Sequence, residues 1–115
     1  MKTVIYHNPR CSKSRQTLEI IREHDIEPEI VEYLNESLDI EGLEKILNLL
    51  GFDSALKMMR VKEPEFKEAE LHQDSNNEEL ISGIAKYPRL LERPIVVTDK
   101  GALICRPPEL VKDLL

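Results

Sequence analysis

No stretch of this sequence stays apolar for long. The longest uninterrupted run is Ala102 to Cys105, far short of the ~20 residues that a membrane-spanning helix needs. Cysteine is nearly as scarce. Cys11 and Cys105 are the only two, too few for a secreted disulfide framework. Met1-Lys2 leads into a short strand-like stretch rather than the apolar core of a signal peptide, so a cytoplasmic location is expected. Basic residues are outnumbered as well: 22 acids against 16 bases leave a net charge of −6. That balance argues against broad nucleic-acid binding, which needs cations on many phosphates. Repeats, low-complexity segments and separating linkers are also missing. The 115 residues therefore read as one domain, 1–115. A chain of this size buries about two thirds of its unfolded surface and needs neither disulfide nor metal to fold.

The charge that is present is unevenly placed. Residues 1–22 hold Lys2, Arg10, Lys13, Arg15 and Arg22 against the single acid Glu19, a local balance of +4, so the remaining chain carries −10. The basic island surrounds Cys11.

Pattern along the chain gives an element order. Thr3 to His7 is β-branched and aromatic and ends at the turn signal Asn8-Pro9. From Cys11 the spacing of Leu18 and Ile21 among charged residues predicts a helix. A second strand follows Pro28 through Ile30, Val31 and Tyr33, completing a βαβ unit with parallel strands. Ser37 or Asp39 is placed to cap the next helix, whose apolar face is Ile40, Leu43, Ile46, Leu47 and Leu50, with Gly51 as its stop. Residues 54–73 read as short helical pieces. Ser75-Asn76-Asn77-Glu78 has the form of a capping box before a helix closed by Pro88. Ile95 to Thr98 and Ala102 to Cys105, joined by Asp99-Lys100-Gly101, predict an antiparallel hairpin. Pro107-Pro108-Glu109 opens a final helix. The simplest packing is an α/β fold: a four-stranded mixed sheet flanked by helices, with a helical insertion. That order is similar to the thioredoxin-like, glutaredoxin-type fold.

Cys11 falls between a strand with a tight turn and the first turn of a helix. There the free backbone N–H groups and the helix dipole favour a thiolate and also suit an oxyanion. A free thiol titrates near ~8.5, and helix N-termini or basic neighbours bring it down to roughly 3.5–7.5. Arg10, Lys13, Arg15 and His7 are the candidate neighbours. Cys105 ends an apolar strand and reads as core filling. Ser14 stands where a C-x-x-C pair would place its second cysteine, so any Cys11 adduct must be resolved by an outside thiol. A phosphatase-type loop is absent, since Arg15 follows Cys11 too closely and position 17 is Thr. No metal set is completed by nearby His or Cys. His24 and His72, among charged residues, read as surface.

The run His7-Asn8-Pro9-Arg10-Cys11-Ser12-Lys13-Ser14-Arg15 resembles the active-site signature H-N-P-x-C-x-x-S-R of the ArsC family of glutaredoxin-coupled arsenate reductases. Leu90-Leu91-Glu92-Arg93-Pro94-Ile95 resembles the family's Leu-x-x-Arg-Pro-Ile segment, and Arg60 and Arg106 match its other two arginines. The resemblance implies that Cys11 is the nucleophile toward arsenate, that His7 and Ser14 keep it ionised, and that Arg60, Arg93 and Arg106 hold the oxyanion. Guanidinium forks suit an anion with several equivalent oxygens. It also implies a cis bond at Arg93-Pro94, glutathione as co-substrate, glutaredoxin as partner, a role in arsenical resistance, and a monomer with no bound cofactor. Two alternatives stand beside it. One is a thiol oxidoreductase of this family with another substrate, which would not need all three arginines. The other is a regulator similar to the Spx proteins, whose usual C-x-x-C switch Ser14 removes.

Overall fold

The structure, a computed structural model, describes residues 2–36 and 38–115. Backbone packing divides the chain into two compact units, residues 2–36 together with 93–115, and residues 38–92.

The first unit is built on a sheet. Strand β1 (Val4–Tyr6), helix α1 (Ser12–Glu23) and strand β2 (Glu29–Val31) form the expected βαβ unit, with β1 and β2 parallel. Strands β3 (Ile95–Thr98) and β4 (Gly101–Ile104) form the expected hairpin, and β3 pairs antiparallel with β1. The sheet order is β2-β1-β3-β4. Register explains which face is buried where. Ile30, Ile5, Val96 and Leu103 stand opposite one another across all four strands, so they share one face. That row packs with Leu18 and Ile21 of α1, with Cys105, and with Val111 and Leu114. On α1 the buried residues are Ser14, Thr17, Leu18 and Ile21, the stripe that a 3.6-residue period turns inward. Fully burying each leucine or isoleucine contributes about 1.5–3 kcal/mol, so this layer fixes where α1 begins relative to β1.

The closing helix differs from expectation. Pro108–Leu114 winds as a 3-10 helix rather than an α-helix, longer than most 3-10 runs. Its last turn is tied to β3, where Thr98 Oγ1 donates to the Leu114 carbonyl at 3.3 Å. Both Arg93-Pro94 and Arg106-Pro107 are cis; the first was expected and the second was not.

The second unit is helical. Helix α2 (Ile40–Leu50) starts at Asp39, whose carboxylate accepts the Gly42 N–H at 2.7 Å. The alternative cap, Ser37, lies outside the described residues. Gly51 ends α2 at φ 74°, a left-handed conformation that glycine adopts without a Cβ clash. Leu43, Ile46 and Leu47 are buried as expected, whereas Ile40 in the first turn is exposed. The 54–73 stretch resolves into a 3-10 turn at Ala55–Met58 and a short helix α3 (Pro64–Glu68). Helix α4 (Asn77–Lys86) has a capping box, but one residue later than the pattern suggested: Asn76 is the cap and Glu79 its partner. Leu80, Ile81 and Ile84 are its buried face, and Pro88 opens a further 3-10 turn, Pro88–Leu90. Among the described residues no helix is long and apolar enough to cross a membrane.

Candidate active site

The loop from β1 to α1 is short and internally bonded. The Cys11 N–H donates to the Asn8 carbonyl at 3.0 Å, and the Cys11 carbonyl accepts the Arg15 N–H at 3.0 Å, starting the helix. Cys11 is thus the N-cap of α1, with extended backbone at φ −93°, ψ 122°. Its side chain is half-buried. Partial burial opposes ionisation, but the backbone N–H groups of Ser14 and Lys13 and the guanidinium of Arg93 outweigh it, so the Cys11 thiol titrates below its ordinary range. Cys105 is in the opposite situation. It is fully buried, and burial pushes its thiol up to about 12.

The positive charge acting on Cys11 comes from across the sheet rather than from the local island. Arg93, two residues before β3, is the guanidinium beside the sulfur. Its Nε is buried and has no hydrogen-bond partner, an unusual state for so strong a donor. Arg106, two residues past the end of β4, donates from Nη1 to the Arg93 carbonyl at 3.4 Å. Of the Lys and Arg residues expected to act locally, Lys13 contributes its backbone N–H rather than its ammonium. Arg15 donates from Nη1 to the Pro9 carbonyl at 2.8 Å, bracing the loop. Arg10 is exposed.

Beneath the loop lie two buried polar side chains. His7 Nδ1 and Ser14 Oγ are 2.6 Å apart, and the Asn8 N–H donates to the same Ser14 oxygen at 3.1 Å. Ser14 is wholly buried and His7 nearly so. Burial holds the His7 imidazole below its usual titration range; Glu32 partly offsets this, while Arg22 and Arg15 add to it. A neutral imidazole is therefore the form at pH 7. The pair links β1 to α1 and sets the first-turn N–H groups that face Cys11.

Arg60 belongs to the second unit. Its guanidinium pairs with Glu63 at 2.9 Å, and Glu63 also pairs with Arg89 at 3.2 Å. The Glu63 partnership is a feature that sequence reasoning missed, although the i,i+3 spacing on a turn before Pro64 is a usable signal. Two clefts flank the His7–Pro9 loop in the first unit. One, of about 520 Å³, runs along α1 past Arg15, Leu18 and Arg22. The other, of about 280 Å³, is lined by His7, Asn8, Pro9, Arg10, Glu32 and Asn35 together with Leu34. Among the described residues, no group of three or more His, Cys, Asp or Glu side chains is gathered as a metal ion would require.

The family model described as the ArsC family matches residues 6–114 of this chain. The chain belongs to the ArsC family. It is 48% identical over 112 residues to the uncharacterized protein YfgD of Escherichia coli K12, covering 96% of this chain and 94% of that protein. It is 45% identical over 112 residues to an arsenate reductase of Neisseria meningitidis serogroup A, covering 96% of both chains. Among solved structures, an arsenate reductase from Vibrio cholerae matches with a TM-score of 0.94 at 41% identity, over 100% of this chain and 98% of that one. These likenesses carry the thioredoxin-like assignment that the β2-β1-β3-β4 order suggested. The ArsC signature spans the loop, cap and first turn described above, and the family's Arg-Pro-Ile segment is the one that brings Arg93 to Cys11.

Proposed function

We propose that this ArsC protein is a glutathione- and glutaredoxin-dependent arsenate reductase. The observation that carries the reading is Cys11 itself, the N-cap residue of α1, its thiol held below its ordinary titration range beside the Arg93 guanidinium, whose buried Nε has no partner. The names of its relatives point to arsenate. In the proposed reaction the Cys11 thiolate attacks arsenic(V) and one arsenate oxygen leaves as water. The thiolate of glutathione then attacks the Cys11 sulfur. The sulfur–arsenic bond breaks with its electron pair passing to arsenic, which departs as arsenite. Two thiols become one Cys11–glutathione disulfide, supplying the two electrons that arsenic(V) takes up in becoming arsenic(III). Glutaredoxin removes the glutathione by thiol–disulfide exchange and returns Cys11 to the thiol.

Arg93 and Arg106 are proposed to hold the oxyanion through charge-assisted hydrogen bonds. Arg60 is assigned with them on the family signature. For that role its guanidinium would keep one edge on Glu63 and offer the other. The geometry supports His7 and Ser14 as the pair that orients the first turn, acting on Cys11 through backbone N–H groups. The test is arsenite production from arsenate with glutathione and glutaredoxin. Activity should fall to background in Cys11→Ala. Arg93→Ala should lower arsenate kcat/KM by about 100-fold, the scale of a lost charged donor to a transition-state oxyanion. A protein that exchanges thiols normally but yields no arsenite above the Cys11→Ala background would overturn the arsenate assignment.

A further inference from the structure

The smaller cleft beside the catalytic loop carries two charges that the mechanism does not use. One wall is the β1–α1 loop with Arg10, the residue next to Cys11; the other is the segment after β2, with Glu32, Leu34 and Asn35. The Arg10 backbone N–H is tied to the Asn8 side chain at 3.0 Å, which fixes the loop while its exposed guanidinium makes no ion pair among the described residues. Across the cleft, the Glu32 carboxylate, among the described residues, accepts a long 3.3 Å bond from the Asn35 amide and acts on the neutral His7 ring. Opposite charges thus line one cleft without pairing, together with the apolar Pro9 and an exposed Leu34.

A cavity of about 280 Å³ lined by one cation, one anion and two apolar side chains complements a zwitterion on a short aliphatic stem. We infer that this cleft is the docking site for the γ-glutamyl end of the glutathione that resolves the Cys11 adduct. Arg10 takes the α-carboxylate and Glu32 the α-ammonium, while the aliphatic stem lies on Pro9 and Leu34. The inference rests on the glutathione-dependent reading above and gives it a specificity site. Because Arg10 directly precedes Cys11, a tripeptide anchored here by its first residue has its thiol one residue further along.

The test avoids arsenate altogether. Cys11 in the intact protein is converted to its mixed disulfide with thionitrobenzoate, Cys105 being buried and protonated. An incoming thiolate then attacks the Cys11 sulfur and thionitrobenzoate leaves as the coloured anion. Rates are compared for glutathione and for cysteinylglycine, the same thiol without its γ-glutamyl group. Glutathione should react faster with the wild type. The ratio of the two rates should fall about threefold in Arg10→Ala and in Glu32→Gln, and about tenfold in the double variant, as expected for two exposed charge contacts. The ratio cancels any change in Cys11 reactivity. A wild type with no preference for glutathione, or a preference that both variants retain, overturns the inference. Loss of arsenate turnover with the preference intact would count against the arsenate reading alone.

Discussion

Cys11 illustrates how far chemistry at a single residue follows from its sequence neighbours. Strand, Asn-Pro turn and helix start placed it at an N-terminus, and the N–H groups of Ser14 and Lys13 do face it. The nearby bases did not supply the charge, because side chains on one turn of a helix radiate outward and Arg15 is spent on Pro9. The charge comes from Arg93, brought in by pairing of β3 with β1, a contact that no local pattern encodes. The family signature marked Arg93 where periodicity could not. Burial raises the Cys11 pKa, and two N–H groups and one guanidinium lower it further than burial raises it. Alkylation of Cys11 by iodoacetamide should therefore rise with pH around a midpoint below the ~8.5 of a free thiol. In Arg93→Gln, burial stays and the opposing charge goes, so the midpoint should move up. A midpoint unchanged by that substitution would mean that the backbone N–H groups act alone.

The elements were legible where pattern and capping agree. Asp39 and Gly51 bracket α2 as composition suggested, and the hairpin turn at Asp99-Lys100-Gly101 falls where the apolar strands stop. The α4 start was legible only to within one residue, because Ser75 and Asn76 are both good caps with a glutamate three residues on. Local bonding separates them: the Ser75 hydroxyl accepts the His72 N–H at 2.9 Å, leaving Asn76 to close the box with Glu79. Replacing Asn76 by Ala should cost about 1 kcal/mol, read as a lowered Tm, whereas Glu78→Ala at the position first suggested should cost much less. Equal losses would show that the box contributes no more than first-turn charge. The 3-10 winding of Pro108–Leu114 had no sequence signal beyond its prolines.

At the scale of the whole molecule, a net charge of −6 coexists with a positive site. Both statements hold because fields are screened over ~10 Å at 0.1 M salt, so Cys11 senses Arg93 rather than the acids elsewhere. The rate of Cys11 with the anion iodoacetate, relative to neutral iodoacetamide, should accordingly fall between 0.1 and 1 M salt. A flat ratio would remove the case for local attraction. The row Ile30, Ile5, Val96 and Leu103 has its own bearing on the second thiol. By packing Cys105 against the same layer, the fold withdraws one of its two thiols from solution chemistry. To a thiol reagent in water the native protein presents one thiol, and it presents two only on unfolding. Its oxidation state can thus be read as a whole number on a mass scale, zero or one adduct per chain, and a chain carrying two reports its own denaturation.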